Sequence, residues 1–424
     1  MNALLLGLLL LLALAGLPFY LVLGGLALLG FAAQGLNPGL FFAEVLRLTE
    51  NPALVAIPLF VLAGYILAES RASERLAKLA GALLGWLPGG LAVATLLIMA
   101  LFTAFSGASG VTIVAMGGMM LPALLKGGYD QRFSLGMITA SGSLGLLFPP
   151  SLALILYGVV SGVSISQLFV AGVLPGLILV GALGAFAMQH GWRLRTSTMT
   201  GRPALLPACK AAIWEAVLPL VVVGGIYAGL FTAPEAATVT VIYVGIVECF
   251  ITRDIHPVRD LPRVLKQSGL LVGGILVILG SAMALTNYLV YADVPTAILN
   301  WLRYAISSKV TFLLLLNVFL LIIGSIIEIF SALVVVVPLI IPLAQHYGVH
   351  PLHLGIIFLM NLEIGYCMPP VGLNLFLASF RFQKPIILLY RAVLPFLIIQ
   401  LITLALITYI PELTLYPVKL FVTK

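Results

Sequence analysis

The stretch GMITASGSLGLLFPPSLALILYG (136–158) and, further on, GIIFLMNLEIGYCMPPVGLNLFLASF (355–380) each carry two adjacent prolines inside an apolar run. A diproline removes two backbone donors and clashes with the carbonyls behind it, so a helix entering either stretch unwinds there. The two stretches share one register. Pro342 follows Pro122, Gly348 follows Gly128, Gly365 follows Gly145, Pro369-Pro370 follow Pro149-Pro150 and Leu394-Pro395 follow Leu174-Pro175, each by 220 residues. Gly and Pro determine backbone conformation, so an ungapped match of these residues marks a duplicated backbone shape.

The composition around the two copies says where that shape sits. Of 424 residues, 62% are hydrophobic and 8% charged, with a mean hydropathy of +1.21. A soluble domain carries about a quarter charged residues. At roughly 20 apolar residues per crossing, the chain can supply about ten to twelve membrane spans. No polar stretch is long enough for a separate catalytic or DNA-binding domain. The net charge of +7 therefore reads as cytoplasmic loops of an inner-membrane protein, not as a nucleic-acid surface. Cys209, Cys249 and Cys367 have neither disulfide nor zinc spacing. GxxxxGK[ST], HExxH and GxSxG are missing from the sequence, so ATP-driven transport and these hydrolytic chemistries drop out, and the chain reads as no enzyme.

The expected fold is an all-α polytopic membrane protein with inverted-topology repeats, re-entrant hairpins and Pro-Pro-broken helices. Residues 1–51 read as a retained N-terminal span and linker, 52–189 as the first repeat and 190–267 as cytoplasmic loops around two scaffold spans. Residues 268–410 read as the second repeat and 411–424 as a C-terminal tail. Basic loops at His190–Lys210, Arg253–Lys266 and Arg381–Lys384 give one consistent topology. Five crossings separate Lys126 from Gln345–His346, and an odd number sets the copies in opposite orientations. Arg71–Leu87 has Arg71, Glu74, Arg75 and Lys78 opposite Leu76, Leu79 and Leu83, the pattern of a helix lying along the interface. Asp293–Ser308 reads as a second such arm, and Trp86, Trp192, Trp214 and Trp301 as interfacial anchors.

Unwound helix ends expose carbonyl oxygens suited to Na+ and free amides suited to carboxylates. The small and polar hairpin tips at 106–110 and 324–328 add to these. The first expected cation set is Ser106 and Ser109 with Gly145, Phe148 and Pro150. The second is Ile326 and Glu328 with Gly365, Met368 and Pro370. Thr139, Ser141, Ser143, Asn361 and Asn374 lie beside the breaks and read as substrate contacts, with helix–helix hydrogen bonding as the alternative. Glu363 is a second intramembrane acid, with cation, proton and structural roles all open. Glu235 after Pro234 reads as a helix cap, and His346, His350 and His353 as surface histidines in a loop.

Four stretches resemble the large membrane subunit of tripartite ATP-independent periplasmic (TRAP) transporters: IPLFVLAGYILAES (57–70), residues 127–177, GGIYAGLFTAPEAATV (224–239) and 355–380. The resemblance covers essentially the whole chain. It implies Na+-coupled uptake of a small organic acid by an elevator-like motion, without ATP. It also implies two partners, a small four-helix membrane subunit and a periplasmic substrate-binding protein. The two family sodium sites fall on the two sets named above. Met368 departs from the family pattern, which often has Thr there, so the second site would rely on carbonyls. A stand-alone Na+- or H+-coupled carboxylate transporter of the same design is the alternative.

Overall fold

The computed structural model describes residues 16–194, 205–294 and 308–421, together with 7, 9, 11, 12, 296, 297, 300 and 306. All regular structure in these residues is helical. Among the described residues, eight helices are long and apolar enough to cross a membrane, or up to 10 if each bent pair is one span.

The duplication in sequence is a duplication in structure. The first hairpin pairs Gly90–Ser106 with Ser109–Lys126. Adding 220 gives 310–326 and 329–346, and the second hairpin pairs Lys309–Ile326 with Ile329–His346. Each hairpin reverses over two residues. Beyond each lies a glycine in the left-handed region, Gly128 at φ 87° and Gly348 at φ 67°. A helix then starts at Gln131 and at Pro351. Asp130 caps the first by accepting from the Phe133 amide at 2.8 Å, and His350 caps the second through the Leu352 amide at 3.2 Å.

Both of these helices break at the prolines. In the first copy Gln131–Ser141 gives way to a 3₁₀ turn, Leu144–Leu147, and the chain resumes as Leu152–Ser161 at a 45° bend. In the second copy Pro351–Gly365 runs straight to the break and Leu373–Phe382 follows it. Pro149-Pro150 and Pro369-Pro370 are both cis. Ile165–Leu194 and Ile386–Tyr409 close the copies.

The copies pack reciprocally. Leu152–Ser161 lies against the second hairpin's Ile329–His346, and Leu373–Phe382 against the first hairpin's Ser109–Lys126. Gln131–Ser141 packs on Ile386–Tyr409 as Pro351–Gly365 packs on Ile165–Leu194. Matching positions meet where the copies cross: Ser143 Oγ donates to the carbonyl of Glu363, 220 residues away, at 3.4 Å.

Around this pair stand Phe19–Ala33, Ala56–Glu69, Ile213–Tyr227, Ala233–Ile246 and Leu261–Tyr291. Ala56–Glu69 touches the first hairpin at Gly64, where any Cβ would collide with the Phe105 carbonyl. The arm helix is real and spans Ala72–Leu84. One of its charges departs from the expected solvated face: Arg75 turns inward, while Glu74 and Lys78 are exposed. Residues 411–424, read as a tail, hold instead the helix Glu412–Phe421, which packs on Ile165–Leu194 and buries Thr414. The reason is tertiary: a short segment too polar to signal a span gains an apolar partner. Most of Asp293–Ser308, Trp301, residues 195–204 and most of the first half of the N-terminal span lie outside the described residues.

Candidate functional site

The hairpin tips and the breaks converge on one cavity of about 400 Å³. Gly107–Val111 of the first tip and Glu328–Phe330 of the second line it, with Leu146 and Tyr366, which match each other across the repeat. Leu270, Gly274 and Ile278 of Leu261–Tyr291 form a further wall. Two helix N-termini thus open towards a shared space; the first has no side-chain cap, and unsatisfied amides of that kind attract anions. Glycine makes this approach possible. A Cβ on Gly365 would meet Gly324 at 2.6 Å, and one on Gly145 would collide with the Ala100 carbonyl and the Ala104 amide, Ala104 being the match of Gly324.

The first expected cation set is largely sealed: Ser106, Ser109, Gly145 and Pro150 are buried and Phe148 half-buried. Next to it lies a cluster of oxygens that sequence reading missed. Thr103 Oγ1 is 2.8 Å from both Thr112 Oγ1 and the Gly142 carbonyl, and Ser106 Oγ is 3.3 Å from Thr112 Oγ1. Hydroxyls and carbonyls gathered in this way are hard ligands of the kind that hold Na+. The available signal was spacing, since Thr103 precedes Ser106 and Thr112 follows Ser109 by three residues, which places each pair on one helix face.

The second set is more open. Gly365 is buried, Glu328 and Met368 are half-buried, and Ile326 and Pro370 are exposed. The hydroxyl cluster of the first copy has no counterpart here, because Ile323, Ile326 and Ala332 stand where the first copy has Thr103, Ser106 and Thr112. Glu328 caps its own helix, accepting from the amides of Phe330 at 2.9 Å and Ser331 at 3.3 Å. The Ile329 amide donates to Tyr366 Oη at 2.6 Å, tying the tip to the break.

The expected substrate contacts divide. Thr139, Ser143 and Asn374 meet where the copies cross: Asn374 Nδ2 lies 3.4 Å from both the Thr139 carbonyl and Ser143 Oγ. Asn374 Oδ1 has no partner among the described residues. Ser141 bonds back to the Ile138 carbonyl, and Asn361 bonds Asn317 Oδ1 at 2.8 Å. All five are fully buried and stand off the cavity wall. Glu363 is also fully buried, and neither carboxyl oxygen has a partner among the described residues.

Of the three histidines, His346 and His350 are exposed as expected, and His353 departs from expectation. His353 is buried, with Nδ1 2.8 Å from Thr414 Oγ1 and Nε2 3.2 Å from the Thr408 carbonyl. It lies inside because the 412–421 helix covers it. Among the described residues no three His, Cys, Asp or Glu side chains converge as a metal site. Glu235 is the cap expected, accepting from the Thr232 amide at 2.8 Å.

Away from the cavity, Arg75 gathers three carboxylates. Nε donates to Glu215, Nη1 to Asp254 Oδ2 at 2.5 Å and Nη2 to Glu248 Oε2 at 3.0 Å. Burial works against the guanidinium charge, but the bonds to Asp254 and Glu215 and the nearby charges outweigh it and raise the Arg75 pKa.

The family model described as "Tripartite ATP-independent periplasmic transporter, DctM component" matches residues 5–413. The C4-dicarboxylate TRAP transporter large permease protein DctM of Pseudomonas aeruginosa is 36% identical over 375 residues, 88% of this chain and 87% of that one. The isethionate TRAP transporter permease protein DctMQ of Oleidesulfovibrio alaskensis is 34% identical over 95% of this chain and 64% of its own length. The crystal structure of the Alcanivorax borkumensis YdaH transporter, titled as revealing an unusual topology, superposes with a TM-score of 0.62 at 17% identity, covering 89% of each chain.

Proposed function

The chain belongs to the DctM-component family of tripartite ATP-independent periplasmic transporters, and from that premise we propose that it is the large permease of a Na+-coupled importer of a small organic acid. The observation that carries this reading is the convergence of both hairpin tips and both break-flanking residues, Leu146 and Tyr366, on one cavity. Na+ binds at the Thr103–Ser106–Thr112 cluster with Ser109 and the first break, and at the second tip with Gly365 and Met368. Each ion draws a tip towards its break, and the first tip, whose helix has no side-chain cap, then presents its amides to the substrate carboxylate.

The pair of hairpins and broken helices moves as a unit against the surrounding helices, in the elevator manner, with the two copies oppositely oriented across the inner membrane. A periplasmic binding protein delivers the substrate, and a small four-helix membrane subunit completes the fixed part. The named relatives act on C4-dicarboxylates and on isethionate, which supports an organic anion without choosing one.

Uptake into proteoliposomes that hold all three subunits is expected to require an inward Na+ gradient. Uptake that persists in sodium-free buffer and follows a pH gradient overturns Na+ coupling. One observation favours that second reading: the unpartnered, buried carboxyl of Glu363 is the group an H+-coupled cycle would use. Glu363→Gln separates the two, since it abolishes uptake only in the H+-coupled case.

A further inference from the structure

A second cavity, of about 590 Å³, opens between the arm helix, the first hairpin and the short helix Leu205–Ala211. Its volume falls within the range of about 300–1,000 Å³ that suits a small-molecule ligand. Its wall is formed by Ala77, Gly81, Leu91, Ala94, Ile98 and Met120, among other apolar groups. Thr95 is the one hydroxyl there, and it donates to the Leu91 carbonyl at 2.9 Å, so it has no hydrogen left to donate to a ligand. The interior therefore suits hydrocarbon.

The rim is different. Lys78 lines it, Lys126 lies three residues beyond the lining residue Ala123, and Lys210 three beyond Pro207. Residues three apart share a helix face, so Lys126 and Lys210 stand on the faces of their helices that carry the lining residues, within reach of the mouth that Lys78 lines. All three are exposed, and none has an acidic partner among the described residues. Basic residues beside apolar surface at the cytoplasmic side of a bilayer attract anionic lipid. Trp86, 55% exposed at the end of the arm, marks the same interfacial level.

We propose that this crevice is a binding site for an anionic phospholipid, with an acyl chain between the arm and the first hairpin and the headgroup phosphate on Lys78, Lys126 and Lys210. The charge decides the occupant. An apolar helix of another protein would fill the crevice without calling for three unpaired cations. The inference needs only a bilayer and is independent of the substrate and coupling ion proposed above.

Native mass spectrometry of the full chain in mild detergent, titrated with phosphatidylglycerol or phosphatidylcholine, tests it. Phosphatidylglycerol is expected to bind in preference. Exposed Lys78→Gln should weaken it about five-fold, the triple Gln variant by roughly a hundred-fold. Ala208→Phe, which fills the crevice from its half-open rim, should remove the bound lipid while the thermal unfolding midpoint holds. Equal retention of both lipids, or of phosphatidylglycerol by the lysine variants, overturns the proposal. So does a partner protein cross-linked at Ala208→Cys that excludes added phosphatidylglycerol.

Discussion

At the scale of single residues, the two glycines ahead of the prolines are tightly constrained. Gly145 and Gly365 touch backbone of the first arm of their own hairpins, leaving no room for a methyl group. Gly145→Ala and Gly365→Ala should each destabilise the protein by about 1–3 kcal/mol, the usual penalty of overpacking. Gly181→Ala is the control: nothing lies within 4 Å of its Cβ position, and removing a helical glycine should stabilise by about 0.5–1 kcal/mol. Thermal unfolding in detergent reads both. Asp130 gives a pH-dependent test. Partial burial disfavours its charge, yet the Phe133 amide and His190, 2.9 Å away, hold its carboxyl below the ordinary carboxylate range. A depressed folded value stabilises the protein above the unfolded pKa, near about 4, and that contribution disappears as pH falls through the folded value. Asp130→Ala should therefore cost about 1 kcal/mol of cap stability at pH 7, with the gap to wild type closing only below about pH 4.

At the scale of elements, one side chain of the arm helix gathers most of its charge contacts. Arg75 joins Glu215, Glu248 and Asp254, which come from three separate segments of the outer helices and their loop. Removing one partner of a buried charge group typically costs about 3–5 kcal/mol, because the others stay buried and unpaired. Arg75→Ala should lower the unfolding midpoint accordingly, and adding Glu215→Gln and Glu248→Gln should recover much of the loss. No recovery would mean that Arg75 acts through its packing and not its charge. This element also shows where sequence reading reaches its limit. The period of Arg71–Leu87 disclosed the helix, because periodicity depends on a single segment. That Arg75 faces inward depended on acids 140 or more residues away, which no local pattern reports. The broken helices were legible because proline acts on its own backbone. Thr103 and Thr112 were not singled out, since a hydroxyl in an apolar run looks the same whether it serves a ligand or a neighbouring helix.

At the scale of the whole molecule, reciprocal packing of the copies makes a near-symmetric body whose asymmetries are local. The cavity, closed on one side by Leu261–Tyr291, meets the Ser109 hydroxyl at the first tip and the Glu328 carboxyl at the second, and the cluster of Thr103, Ser106 and Thr112 stands behind the first tip alone. If the paired hairpins slide against that helix, then joining them stops transport. Val111 on the first tip and Gly274 on the outer helix line the same cavity, and a side chain at Gly274 meets nothing within 4 Å. Exposed Cys209 is first replaced by Ser, while Cys249 and Cys367 stay buried. In that background, Val111→Cys with Gly274→Cys should cross-link through a short thiol-reactive bridge and lose uptake, and either single variant should keep it. Reduction of a cleavable bridge should restore uptake. Full transport by the cross-linked double variant would mean that the tips and the outer helix keep one relation throughout the cycle. The substrate would then cross by local opening of the tips, not by displacement of the body that holds them.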